Sequence, residues 1–66
     1  MQIFINDSPI TCPANSFLSE ILSANGIPAQ NIAVAIDRTV IPKAQWETTR
    51  VSDGSRIMII KAVQGG

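Results

Sequence analysis

The residues of this chain that could do chemistry stand at its end, where Gly65 and Gly66 follow a run that is typical of a β-strand. Glycine has no Cβ, so a strand that ends in two glycines becomes a thin arm with a carboxylate at its tip. Such an arm can enter a narrow channel that any side chain would block. The same pair is also compatible with an inert, frayed terminus. The rest of the chain decides between these two interpretations.

Few other residues could support catalysis. Cys12 is the only cysteine and the chain contains no histidine. An intramolecular disulfide, a Cys/His zinc site, a Cys–His pair and a Ser-His-Asp triad are therefore excluded. A carboxylate such as Glu20 or Asp53 would have to act without a visible partner. The inventory argues against an enzyme, and we expect no bound cofactor or metal.

Composition limits the class of protein further. A chain of 66 residues predicts a single domain over residues 1–66. Only 15% of the residues are charged, which predicts that some apolar surface remains exposed for a partner. The formal net charge is zero and the cations are scattered, so we expect no nucleic-acid binding. The sequence shows neither a signal peptide nor an apolar span, which predicts a cytoplasmic protein without a membrane segment.

The first half of the chain predicts a hairpin followed by a helix. Strands are expected at residues 1–5 and 10–12, with turn residues at 6–9 between them. Ser16 is the predicted N-cap, and Glu20 suits the positive end of a helix. The apolar face expected at helical spacing consists of Phe17, Leu18, Ile21, Leu22 and Ala24, and the stop signal consists of Asn25, Gly26 and Pro28.

The second half predicts three further strands and no second long helix. Residues 32–36 form a continuous apolar run that suits an interior strand. A turn at 37–39, a return strand at 40–41 and a helical turn at 42–47 follow. Asp53-Gly54 marks a turn before the last strand, which starts near residue 56. The order β-β-α-β-β-β gives an α+β domain in which one helix covers one face of a small sheet.

Alternation along the strands predicts which side chains lie under the helix. Met1, Ile3 and Ile5 share one face, whereas Gln2 and Phe4 point to the other. In the last strand, Ile57 and Ile59 have one parity and Met58 and Ile60 the other. Both sets are apolar, so alternation alone leaves open which set is buried. Either choice leaves two apolar side chains on the open face, where they could join Phe4 in a partner surface.

The whole chain resembles the ubiquitin-like sulfur carriers, and most closely the ThiS family of thiamin thiazole synthesis. The resemblance rests on the β-grasp order of elements, the short length and a series of motifs. These motifs are Met-Gln-Ile at residues 1–3, Asn6-Asp7, Cys12, Glu20-Ile-Leu22, Ala35-Ile36, Val40-Ile-Pro42, Gln45-Trp46, Asp53-Gly54 and the final Gly65-Gly66. Residues 13–19 and 26–31 are less typical of the family.

The resemblance implies a fold and a mechanism. It implies a ubiquitin-like β-grasp with a small mixed sheet and a flexible tail at 64–66, in which Gln64 and Gly65 carry the reactive Gly66. An E1-like adenylating enzyme (ThiF-type) would use ATP and Mg²⁺ to activate the Gly66 carboxylate. Sulfur derived from a cysteine desulfurase would convert it to a thiocarboxylate, which would donate sulfur to thiazole synthase (ThiG-type).

The resemblance also settles the parity of the last strand. It implies that Ile57 and Ile59 are buried, so that Phe4, Met58 and Ile60 form the docking patch of a protein that we expect to be a monomer.

Several alternatives remain open at this point. The same tail chemistry is used by small subunits of molybdopterin-synthase-type complexes, and related tags modify proteins. A β-grasp interaction domain with an inert tail is a different class. Cys12 could handle sulfur or pack in the sheet, and Trp46 could bind a ligand or close the sheet edge.

Overall fold

The computed structural model describes residues 1–61, and these form a five-stranded sheet with an α-helix and a short 3-10 helix. In chain order the elements are β1 (Gln2–Ile5), β2 (Ser8–Thr11), α1 (Leu18–Ala24), β3 (Ile32–Ile36), β4 (Thr39–Ile41), a 3-10 helix (Lys43–Gln45) and β5 (Arg56–Lys61). The predicted order of elements is confirmed.

The strands are arranged in the order β2-β1-β5-β3-β4. β5 is parallel to β1 and antiparallel to β3, and the two hairpins β1–β2 and β3–β4 flank it. The sheet is therefore mixed, with the last strand at its centre. This is the β-grasp arrangement that the resemblance implied, and it places the strand that leads to the C-terminal residues between two neighbours.

Both hairpins close through two-residue turns with positive φ angles. Asn6 and Asp7 have φ values of 49° and 69°, and Asp37 and Arg38 have values of 48° and 73°. Two consecutive residues of this kind are typical of type I′ turns, in which Asn and Asp are tolerated well. The prediction of a four-residue first turn was wrong, because Ser8 and Pro9 belong to β2. Pro9 is accommodated because β2 is an edge strand.

The helix begins one residue later than predicted. Ser16 is not the N-cap, because its hydroxyl donates a 2.6 Å hydrogen bond to the Pro13 carbonyl instead. Phe17 occupies the N-cap position, and its backbone N–H donates to the Glu20 carboxylate at 2.8 Å. Glu20 therefore supplies the half of a capping box that reaches back to the N-cap. Ala24 is exposed, so its predicted place on the buried face was wrong.

The core lies between α1 and one face of the sheet. Leu18, Ile21 and Leu22 of the helix pack on this face and are at most 2% exposed. The sheet contributes Ile3, Val34 and Ile57, and the loop after β4 contributes Trp46 and Val51. One helix buries only one face of the sheet, so the opposite face, which we call the open face, is left without a covering element among residues 1–61.

Candidate functional site

The tail residues Gln64, Gly65 and Gly66, predicted as the reactive and flexible end of the chain, lie outside the described residues. What the structure shows is the strand that leads to them. β5 ends at Lys61 after passing through the centre of the sheet. The surfaces around β5 are therefore the parts of the candidate site that can be examined directly.

The alternation along β5 is as the resemblance implied. Met58 is 54% exposed and Ile60 is 52% exposed, whereas Ile57 is 2% exposed and Ile59 is partly buried against the core. An exposed side chain of this size remains in contact with water at a free-energy cost, because burying apolar surface is favourable. Two such side chains on one strand mark a surface that is suited to a protein partner.

Phe4 lies beside this pair and is not in the same cross-strand row. Its register partner on β5 is Arg56, and the guanidinium carbon of Arg56 lies 4.9 Å from the centroid of the Phe4 ring. Arg56 also approaches Asp7, at 3.6 Å between Nη1 and Oδ1. Met58 instead pairs with Ala35 of β3. Phe4 therefore adds a half-buried aromatic ring with a cation over it to the edge of the apolar patch.

Val40 was not predicted as part of this surface, yet at 63% it is the most exposed large hydrophobic side chain of residues 1–61. Val40 and Met58 both pair with Ala35, so one row of apolar side chains crosses β4, β3 and β5 on the open face. Ile60 pairs with Ala33 in the next row. The length of the turn between β3 and β4 would have predicted the place of Val40, because a two-residue turn at 37–38 places position 40 opposite position 35.

A depression lies at the N-terminal end of β5, and its lining is apolar as well as polar, because it includes Met58 of the open face. It lies between the two hairpin turns, and its lining includes Asp7, Asp37, Arg38 and Arg56. The Asp37 carboxylate accepts a hydrogen bond from the backbone N–H of Arg56 at 3.0 Å. The depression is at the opposite end of β5 from the C-terminal residues. Among residues 1–61, no cluster of three or more His, Cys, Asp or Glu side chains could hold a metal ion.

Cys12 and Trp46 both occupy structural positions. Cys12 is half-buried and packs against the core, while its backbone exchanges hydrogen bonds with Met1. Trp46 is 4% exposed, and its indole N–H donates to the Ile41 carbonyl at 2.8 Å. This contact ties the 3-10 helix to the end of β4, which favours the structural interpretation of Trp46.

A mixed sheet of two hairpins around a central last strand, with one helix on one face, defines a ubiquitin-like β-grasp protein. The crystal structure of the thiamine biosynthesis protein ThiS from Geobacter metallireducens matches it with a TM-score of 0.89 and 25% identity, over the full length of both chains. The sulfur carrier protein ThiS of Escherichia coli K12 is 32% identical over 66 residues, again over the full length of both. The ThiS family model matches residues 3–66, and the chain belongs to this family.

A further relative is the uncharacterized protein ycf40 of Porphyra purpurea, which is 29% identical over 66 residues that make up 93% of that protein. Among the described residues, no helix is long and apolar enough to cross a lipid bilayer.

Proposed function

We propose that this chain is a sulfur carrier for the thiazole branch of thiamine biosynthesis, and that sulfur is attached at the carboxylate of Gly66. The observation that carries the proposal is the family match, which runs through residue 66 and therefore includes both terminal glycines. The full-length likeness to the Escherichia coli sulfur carrier protein supports it. The residue inventory supports a carrier as well, because the chain offers no histidine and one half-buried cysteine.

The chemistry begins with activation of a poor electrophile. An E1-like adenylating enzyme of the ThiF type, with its own ATP and Mg²⁺, joins the Gly66 carboxylate to AMP and releases pyrophosphate. The terminal sulfur of a persulfide, ultimately supplied by a cysteine desulfurase, attacks the acyl carbon and AMP leaves. A thiol then cleaves the resulting acyl disulfide, so that the thiol is oxidised to a disulfide and the thiocarboxylate is released.

The carrier then presents this sulfur to an acceptor enzyme of the thiazole synthase (ThiG) type. A thiocarboxylate is a soft nucleophile, and a carrier that has docked holds it near the acceptor at a high effective concentration. The chain itself supplies the docking surface and the C-terminal carboxylate, while the partners supply acid–base chemistry. We expect it to act as a cytoplasmic monomer that is a cosubstrate and has no catalytic residues.

Docking is proposed to use the open face. Phe4, Met58 and Ile60 form the patch predicted from the sequence, and Val40 extends it across β4. The face lies on the strand whose end carries the tail, so a partner that covers it also receives the C-terminal residues.

Thiazole formation tests the proposal. The unmodified chain, a variant that lacks Gly66 and a variant with one alanine added after Gly66 are each supplied to thiazole synthase and its carbon and nitrogen substrates, together with the adenylating enzyme, ATP and a sulfur source. We expect thiazole to form only with the unmodified chain, because the terminal carboxylate must lie at one fixed distance from the docked domain. Equal urea midpoints for all three proteins would show that the tail changes leave the fold intact. Normal thiazole formation by either variant would contradict the proposal and favour an interaction domain with an inert tail.

A further inference from the structure

Two side chains from the two hairpin turns hold β5, one at its start and the other near its end. Asp37, the first residue of the β3–β4 turn, accepts a hydrogen bond from the Arg56 backbone N–H at 3.0 Å. Asn6, the first residue of the β1–β2 turn, accepts one from the Ile59 backbone N–H at 2.9 Å. The two residues also share a positive φ angle, 48° for Asp37 and 49° for Asn6. They make the same type of contact to different ends of one strand.

The Asn6 side chain makes hydrogen bonds to β5 beyond the point where β1 ends. β1 pairs with β5 only as far as Ile5 opposite Ile57, after which the chain turns away at Asn6 and Asp7. The Asn6 backbone N–H still donates to the Ile57 carbonyl at 2.9 Å. Its side-chain amide then carries the pattern forward to Ile59, where Oδ1 accepts at 2.9 Å and Nδ2 donates to the carbonyl at 3.4 Å. An Asn side chain can do this because its amide has the donor and acceptor of a peptide group.

Beyond Ile57, β5 has a strand neighbour on one side only among residues 1–61. β3 pairs with it from Ile57 to Lys61, and on the β1 side the Asn6 side chain is the contact that reaches furthest along the strand. Ile59 stands two residues before Lys61, where β5 ends and the chain continues toward Gly66. β5 is thus held from both sides as far as Ile59 because Asn6 is present.

We infer that Asn6 is a positioning residue for sulfur loading, since it holds β5 at Ile59, two residues before the strand ends and the chain continues toward Gly66. The inference rests on the proposed function. A strand end that is held on one side only samples more orientations, and a partner that accepts the tail must restrict them. Loss of Asn6 should therefore raise the KM of the carrier for the adenylating enzyme. It should leave kcat nearly unchanged, because the bound tail is the same.

Asp37 provides a matched control. Asn6→Gly and Asp37→Gly both keep a residue that tolerates the positive φ of a type I′ turn. Asp37→Gly removes one side-chain hydrogen bond to β5, and Asn6→Gly removes the two that join Asn6 to Ile59. Asn6→Asp is the conservative variant, because it keeps the oxygen that accepts from Ile59 while losing the longer bond from Nδ2. Comparing Asn6→Gly with Asp37→Gly shows whether the place of the lost contact along β5 matters. Asn6→Asp shows whether the oxygen that accepts from Ile59 is sufficient.

Hydrogen exchange on the free proteins tests the structural half of the inference. We expect Asn6→Gly to lower the protection of the Ile59 amide relative to the core amide of Val34. Asp37→Gly should leave that ratio unchanged. An unchanged ratio in Asn6→Gly would overturn the inference.

The functional half of the inference is tested by steady-state sulfur loading with a ThiF-type enzyme. ATP and sulfide are supplied, and the concentration of the carrier is varied. Asn6→Gly should raise KM about twofold to tenfold, the range expected when one neutral hydrogen bond and a second, longer one to Ile59 are lost, with little change in kcat. Asp37→Gly should stay near the unmodified chain, and Asn6→Asp should recover most of the loss. Equal KM values for Asn6→Gly and Asp37→Gly would overturn the positioning role while leaving the carrier function intact. No loading of the unmodified chain would overturn both.

Discussion

At the scale of single residues, the polar side chains of the sheet and its loops are engaged in holding the fold together. The Ser16 hydroxyl donates to Pro13, the Trp46 indole donates to Ile41, and the Glu20 carboxylate accepts from Phe17. Among the described residues, no buried side-chain nitrogen or oxygen lacks a hydrogen-bond partner. Glu20, one of the carboxylates weighed as a catalytic group, is therefore engaged at the start of the helix.

Cys12 provides a prediction at this scale. Its thiol belongs to a half-buried side chain that packs against the core, so we expect Cys12→Ser to lower stability slightly and to leave sulfur loading intact. Mass spectrometry after incubation with the adenylating enzyme, ATP and a persulfide donor measures the loading. Lost loading in a variant that remains folded by circular dichroism would assign Cys12 a part in sulfur handling.

Trp46 provides a second prediction. Trp46→Phe removes the donor to the Ile41 carbonyl and leaves space in the core, so we expect the free energy of unfolding to fall by about 1–3 kcal/mol. Urea denaturation measures the change. Lys43→Ala, an exposed substitution on the neighbouring 3-10 helix, is the control and should shift stability by less than about 0.5 kcal/mol. Equal stabilities of the two variants would contradict the structural role of Trp46.

At the scale of elements, β5 gives the sharpest contrast between neighbouring positions. Met58→Asp places a charge on the open face, so we expect affinity for the adenylating enzyme to fall about tenfold or more while the fold persists. Ile57→Asp places the same charge under the helix and should unfold the domain. Calorimetric titration and thermal melts measure the two effects. Met58→Asp that unfolds the domain, or that is folded and binds normally, would contradict the assignment of the open face.

The elements of this fold could be predicted from the sequence because each has a local cause. The run at 32–36, the stop at Asn25-Gly26 and Pro42 before the 3-10 helix all lie where the patterns indicated. Burial along β5 is different, since Ile57 and Met58 are both apolar. Which of these two side chains is buried depends on which face of the sheet the helix covers, and tertiary structure determines that face. Their burial was predicted from the family resemblance alone.

The errors in the prediction also have physical causes. Pro9 suggested a turn, but an edge strand tolerates the missing N–H, so the turn is shorter. Ser16 suggested an N-cap, but the helix begins at Leu18 with Phe17 at the N-cap, and the Ser16 hydroxyl donates to the Pro13 carbonyl. Val40 was missed because its face follows from the length of the turn before it, and the contact of Asn6 with Ile59 joins residues 53 positions apart. Contacts of this range are set by topology and leave no local signal.

At the scale of the whole molecule, the proposed docking surface and the proposed sulfur-carrying end belong to one strand and its continuation. β5 is the centre of the sheet, contributes Met58 and Ile60 to the open face, and leads directly to the C-terminal residues. The small domain needs no cavity of its own, because activation and acceptance of sulfur are proposed to occur on larger enzymes.

The intact mass of the protein tests the central claim most directly. The full chain is incubated with a ThiF-type adenylating enzyme, ATP, Mg²⁺ and sulfide, and the variant that lacks Gly66 is treated in parallel. We predict a mass gain equal to the replacement of one oxygen by sulfur, located at Gly66 by fragmentation, and no gain in the shortened variant. An unchanged mass, with an enzyme that is active on another carrier, would contradict the claim that this chain carries sulfur at its C-terminus.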